Sequence, residues 1–310
     1  MGSMDGRLAL VTGATGGLGK AIAAGLAREG AAVVVVGRSN TRTEDAMAGI
    51  SALAPGARLE PLACDLSDQS SIREAAAEFL SRHNSLDVLV NAAGVFRKER
   101  HVTPDGLELT FATNVMAYFL VTTLLLDALK RSAATGKATS GTPAGAAPGR
   151  AGVPAPAPAP APAPARIVNV ASRYGNTTLN FDDLLTAKGK YSYLRSTPPT
   201  MLARVLLTQE FAERLRGVGV VANAVHPGLV KDTALLKDVG GPFRWVTNTL
   251  GAPAEKAADT AVWLATSPEA AEASGKLWSK RKELPTPGMG SDPEARRRLW
   301  DACTRLAGLS

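Results

Sequence analysis

The stretch that most restricts what this chain can fold into is residues 8–20, LALVTGATGGLGK. Leu8, Ala9, Leu10 and Val11 form an apolar strand run. The run enters a turn where Gly13, Gly17 and Gly19 carry no side chains, so the backbone can approach a neighbouring group closely. A helix over about residues 18–28 follows, with its N-terminus aimed at the same place. Free N–H donors and roughly half a positive charge collect there, which suits a phosphate or pyrophosphate. The spacing Thr12-Gly13-x-x-x-Gly17-x-Gly19 differs from the G-x-G-x-x-G of the commonest dinucleotide fold. The same glycines would also serve a tight strand-to-helix turn packed for its own sake.

The remaining pattern alternates. Residues 32–36, AVVVV, read as a strand buried on both faces, ending at Gly37-Arg38-Ser39. In nicotinamide-binding folds a carboxylate at this strand end holds the ribose hydroxyls, whereas an arginine accepts a 2′-phosphate. The chain offers Arg38 and no acid until Glu44, which favours NADP(H) over NAD(H). Helix 43–53, strand 58–64 and helix 70–82 follow, with Asp65 placed to cap the last of these. Strand 86–90 runs into the small residues Asn91-Ala92-Ala93-Gly94. Residues 106–129 predict one long buried helix in which Asn114 is the polar exception and needs hydrogen-bond partners. Strand 166–172 ends in Ser172; helix 202–215 and strand 218–225 lead to His226-Pro227-Gly228. His226, beside Pro-Gly at a strand end, reads as structural. Helix 252–266, strand 274–278 and helix 293–306 complete a Rossmann-like α/β fold, a doubly wound parallel sheet in one domain over residues 4–310.

One segment departs from this. Over residues 133–165 the composition collapses to Ala, Gly, Pro, Ser and Thr. Such a stretch buries too little apolar surface to offset its ordering entropy, so a disordered surface insertion is expected. The net charge of +7 is concentrated at Lys280-Arg281-Lys282 and Arg296-Arg297-Arg298 without interleaved aromatics. A solvated basic surface therefore fits better than a nucleic-acid site. There is no apolar run long enough for a membrane span and no signal-peptide pattern. Met1-Gly2-Ser3 is set aside as a cloning remnant. The two cysteines, Cys64 and Cys303, are far apart. They suggest neither a disulfide nor a metal site, and a reducing cytoplasmic location fits.

With these residues in view, the turn resembles the TGxxxGxG cofactor loop of the short-chain dehydrogenase/reductase family, and NAAG resembles that family's second hallmark. The texture is nearest to its retinol-dehydrogenase-like branch. The resemblance implies an NADP(H) oxidoreductase acting on a small molecule, commonly a homo-oligomer. It assigns Thr12, Gly13, Thr15, Gly17, Leu18 and Gly19 to the phosphates, with Arg38 beside the ribose. Asp65 and Leu66 go to the adenine, and Asn91, Ala92, Ala93 and Gly94 to the ring passage. Pro227 and Gly228 pack on the nicotinamide face. Asn114 would bend its helix and hold a relay water, and Ser172 would orient substrate. The family's threonine five residues after the proline falls at Asp232, with Thr233 one later.

The family's chemistry rests on Tyr-x-x-x-Lys, the phenol moving a proton and the lysine lowering its pKa. Counting back without gaps from His226-Pro227-Gly228 puts these positions at Thr197 and Met201, neither of which can do that work. Thr197 also precedes Pro198-Pro199, which predicts an unwound turn and a helix beginning at Pro198 with Thr197 as its N-cap. Tyr191-x-x-x-Arg195 mimics the motif six residues early; Tyr193 lies beside it, and Tyr174 lies two residues after Ser172. The readings left open are a reductase of an activated acceptor such as an iminium, quinone methide or enone; a non-redox cyclase, dehydratase or isomerase; and an idle binding protein.

Overall fold

The computed structural model describes residues 2–135, 163–231, 249–286 and 288–309. Its sheet has eight strands: β1 (Leu8–Thr12), β2 (Ala32–Gly37), β3 (Arg58–Ala63), β4 (Val88–Asn91), β5 (Ala165–Val170), β6 (Val220–Val225), β7 (Leu277–Ser279) and β8 (Lys282–Leu284). They lie in the order 3-2-1-4-5-6-7-8. All neighbours are parallel except β7 and β8. The antiparallel β8 is a feature the residue pattern does not announce. It returns through Lys280 and Arg281, both at positive φ (50° and 57°), the two-residue turn whose twist matches a hairpin.

Each inner strand is apolar on both faces because both faces are covered. Leu8, Leu10, Val34 and Val36 point into one core with Phe79, Phe119, Leu206, Phe211 and Leu299. Ala9, Val11, Val33 and Val35 point into the other with Ile22, Leu26, Ile50 and Leu264. Helices α1 (Gly17–Arg28) and α2 (Asn40–Leu53) supply the second core. Helix α3 (Gln69–Arg82) supplies the first.

The expected single helix over residues 106–129 is interrupted. It runs as α4 through an α turn (Leu109–Phe111), a π segment (Ala112–Met116) and α again (Ala117–Leu124). It then breaks by 48° into α5 (Leu126–Thr135). The π segment carries Asn114. By length and composition this bent pair could pass together as a span, but its residues are core of the sheet. Among the described residues no single helix is long and apolar enough to cross a membrane. The edges of the expected 133–165 insertion belong to the fold, since α5 extends to Thr135 and β5 begins at Ala165. Residues 136–162, where the rest of it falls, lie outside the described residues.

The chain continues through α6 (Tyr193–Arg214), α7 (Ala254–Thr266) and α8 (Pro293–Leu306). Helix α6 corrects the expectation of an unwound turn. It starts at Tyr193 and holds Pro198 and Pro199 inside. The Ser192 carbonyl accepts from Arg195 N at 3.0 Å and Ser196 N at 3.1 Å, which starts the helix, while Ser196, Thr197 and Thr200 turn inward and are buried. Two proline rings leave the Leu194 and Arg195 carbonyls without their i+4 donors. Leu194 is 63% exposed, so water can serve that turn. Packing of the inner face overrides the local proline rule.

Candidate active site

The C-terminal ends of the parallel strands converge on one cleft of about 360 Å³, the usual place for a ligand in an open α/β sheet. Its phosphate end is built by backbone. Helix α1 begins at Gly17 behind an extended Gly16, with no side-chain cap and no acid in its first turn. Its leading N–H groups are therefore free for an anion. Gly13 sits at φ 68°, and a Cβ there would meet the Ala93 backbone at 2.7 Å. A Cβ on Gly19 would come within 2.3 Å of the Gly13 carbonyl oxygen. These contacts hold the turn flat under the cleft. Gly13, Thr15, Gly17, Leu18 and Gly19 all line it. The bare helix end and glycine-rich turn fit a dinucleotide pyrophosphate.

Arg38 is exposed at the end of β2 and lines the cleft beside Asp65 and Leu66. Asp65 is not the cap of α3. Its carboxylate accepts from Ser67 N at 2.9 Å and Ser67 Oγ at 2.7 Å, while Asp68 caps the helix through Ser70 N at 2.8 Å. Cys64 also lines the cleft, with its thiol pushed up to about 12 by burial, so it stays protonated. Ala92, Ala93, Gly94, Pro227 and Gly228 line the cleft as well.

Two residues expected at the cofactor act from behind the wall. Thr12 is buried, and its hydroxyl accepts from Ala92 N at 3.1 Å and Ala93 N at 3.4 Å, fixing the loop after β4. Asn91 donates to Asn169 Oδ1 at 2.9 Å and to Thr122 Oγ1 at 3.1 Å, tying β4 to β5 and α4.

Of the residues expected to do chemistry, Ser172, Tyr174 and Met201 line the cleft. Asn114 is fully buried. Its side chain brackets Val95, accepting from the amide at 2.9 Å and donating to the carbonyl at 3.0 Å, and it reaches Thr200 Oγ1 at 3.2 Å. Tyr193 packs behind Phe96 and Met201. Thr197 is buried and its hydroxyl has no partner. The early Tyr191-x-x-x-Arg195 mimic is used elsewhere. Tyr191 donates to Glu108 at 2.9 Å, and Arg195 closes a loop on the Lys188 and Lys190 carbonyls. His226 is held below its usual value by burial and then by Arg173, consistent with a neutral structural ring. Asp232 and Thr233 lie outside the described residues.

The residue that sequence reasoning missed is Arg204, one helical turn after Met201. It lines the cleft yet is only 3% exposed. Nε donates to the Asn114 carbonyl at 2.7 Å, Nη1 to the Val170 carbonyl at 2.9 Å and Nη2 to the Ala93 carbonyl at 2.8 Å. Its guanidinium lies 4.0 Å over the Tyr118 ring. The Tyr118 hydroxyl shares the Ala93 acceptor at 2.7 Å, and burial pushes it up to about 12. Tyr174 is raised by burial and then by Tyr193, while Arg204 opposes both. Among the described residues the cleft lining holds three basic side chains, Arg38, Arg97 and Arg204, and no lysine. The available signal was a lone arginine set among apolar residues in LARVLL, where an amphipathic helix should bury a hydrocarbon.

Comparison with known proteins agrees with this geometry. The short chain dehydrogenase family profile matches residues 7–140. Homo sapiens "Retinol dehydrogenase 13" is 33% identical over 319 residues, spanning 99% of this chain and 86% of that protein. Mus musculus "Polyprenol dehydrogenase" is 32% identical over 313 residues, spanning 98% and 84%. Among solved structures, the Pseudomonas aeruginosa RhlG/NADP active-site complex superposes with a TM-score of 0.64 at 25% identity, covering 89% of this chain and 95% of that one. A Burkholderia cenocepacia short chain dehydrogenase in complex with NADP gives 0.62 at 25% identity, covering 89% and 97%.

Proposed function

Because the chain belongs to the short-chain dehydrogenase/reductase family, we propose that it is an NADP(H)-dependent reductase of a small, activated acceptor: an iminium, quinone methide or enone. The observation that carries this reading is the phosphate end of the cleft: a glycine turn pressed flat under the uncapped N-terminus of α1, with Arg38 on the ribose side. Relatives crystallised with NADP support the same cofactor. When bound, it supplies a hydride.

The chain's own residues hold and polarise the acceptor. Thr197 and Met201, at the positions counted for the family's acid and its cation, provide neither a phenol nor a charge. Ser172 and Tyr174, which line the cleft, are the hydroxyl-bearing residues available instead. Tyr174 stays protonated at neutral pH, because burial raises it by more than Arg204 lowers it. It can donate a hydrogen bond but cannot serve as a base. A simple ketone builds full negative charge on oxygen and needs an acid matched to it. A conjugated or cationic acceptor disperses the charge itself, and so suits this site.

The test is fluorescence titration with NADPH and NADH, followed by transfer of deuterium from labelled NADPH to product. Arg38→Ala should weaken NADPH binding about tenfold, the scale of one charge-assisted contact, and leave NADH unchanged. Equal binding of the two cofactors by wild type would refute the NADP assignment. Turnover that persists undiminished without nicotinamide would refute the redox reading.

A further inference from the structure

Resting on the reductase reading, we propose that Arg204 is an oxyanion-holding residue, and that the substrate is a conjugated carbonyl compound, an enone or quinone-type ring, whose reduction leaves an enolate or phenolate beside it.

The guanidinium is a buried cation with no carboxylate partner among the described residues; the charged or titratable groups that face it are the phenols of Tyr118 and Tyr174. Carbonyl oxygens of Asn114, Val170 and Ala93 take three of its five N–H groups, and Nη1 also donates to the Met201 thioether at 3.7 Å, which leaves one N–H, on Nη2. Carbonyls hold the group in place without neutralising it. A desolvated charge left unpaired is costly, and an anionic ligand relieves that cost. Gly94 and Arg204 both line the cleft, and a Cβ on Gly94 would stand 3.2 Å from Nη2, 3.5 Å from Asn114 Oδ1 and 3.7 Å from Nη1, so the glycine keeps a side chain from pressing on Nη2.

An arginine cannot deliver a proton, but it can hold negative charge as that charge forms. Hydride adds to the electron-poor carbon of the acceptor, the conjugated π bond opens, and its electron pair moves to oxygen. The cofactor would supply both electrons with that hydride, so the acceptor is reduced by two electrons and no other reductant is needed. The oxyanion rests on Arg204 and takes its proton from solvent. No side chain changes protonation state. Asn114, to which the family resemblance assigns a relay water, gives its backbone carbonyl to Nε.

The experiment uses 4-nitrophenol, whose ionised form is yellow, as a stand-in for the oxyanion. It is titrated against the full chain with and without NADP+ and read by absorbance. Bound to wild type, the probe should ionise about tenfold more readily than in water, one unit of pKa. Arg204→Lys should retain part of the shift and Arg204→Met should abolish it, with folding checked by thermal melting. Where Arg204→Met does not fold, Gly94→Ala takes its place and should shrink the shift by crowding Nη2. The proposal is overturned by a wild-type probe that ionises as in water or less readily, by one that does not bind saturably, or by a folded variant with the shift intact. Failure of NADPH to bind in the separate fluorescence titration overturns the reductase reading, whatever the probe reports.

Discussion

Gly19→Ala offers a direct test of how the cofactor turn is built. Gly19 lies in the first turn of α1, where alanine would ordinarily stabilise a helix by about 1 kcal/mol over glycine. Here the new methyl would stand 2.3 Å from the Gly13 carbonyl oxygen, and 2.7 Å from its carbon, against an ordinary contact of at least 3.4 Å. Both obstacles are backbone, so the turn must open by about 1 Å. Overpacking of this kind costs about 1–3 kcal/mol. The net destabilisation is then about 1 kcal/mol, or a fall of roughly 1–2 °C in Tm for a chain of this size. Cofactor binding should suffer more, because the α1 N–H groups and the turn are displaced from one another, and a loss of at least about tenfold in NADPH affinity is expected. The internal control is Gly16→Ala. Its Cβ would find nothing nearer than 3.6 Å, and its φ of −107° suits any residue. Gly16→Ala should melt with wild type. The two variants are compared by differential scanning calorimetry and NADPH fluorescence. Equal melting and equal affinity for Gly19→Ala and wild type would refute the claim that the Gly13–Gly19 contact shapes the cradle.

Two further outcomes are expected. Replacing Pro198 and Pro199 together by alanine restores donors to the Leu194 and Arg195 carbonyls, and the gain outweighs the roughly 1 kcal/mol per proline of lost unfolded-state restriction. Tm should rise by a few degrees, and a fall would show that the rings pack productively. Asp68→Ala removes the cap of α3 and should cost about 1 kcal/mol at neutral pH. Hydrogen bonds from the Ser70 hydroxyl and amide hold the Asp68 carboxyl below its usual value of about 3.9. Its stabilisation is therefore present above that pH and is lost as pH falls through the depressed value. Denaturation curves of variant and wild type should converge at strongly acid pH, and a gap that persists there would refute a carboxylate cap.

The parts of this molecule that depend on local chemistry were legible in its sequence. The valine run of β2 and the glycine turn before α1 mean the same thing in isolation as in the fold. The parts decided by distant partners were not. Asn114 sits in a π segment and bonds to Val95, nineteen residues earlier, which periodicity cannot reveal. The prolines of α6 obey a local rule that the inward packing of Ser196, Thr197 and Thr200 overrides. Asp65 and Asp68 are both credible caps by spacing, and only the geometry of Ser67 and Ser70 separates them. Arg204 looked like one more charge on an amphipathic helix. Its meaning comes from three carbonyls, on the loop after β4, on β5 and on α4, that are contiguous only after folding.

The thioether of Met201 touching Arg204 bears on any attempt to place a cation at that position. A lysine introduced at position 201 would set a second positive charge against a guanidinium fixed by the carbonyls of Ala93, Asn114 and Val170. Substitution can retune the pocket around the arginine, but a lysine beside it would make this wall of the cleft repel itself.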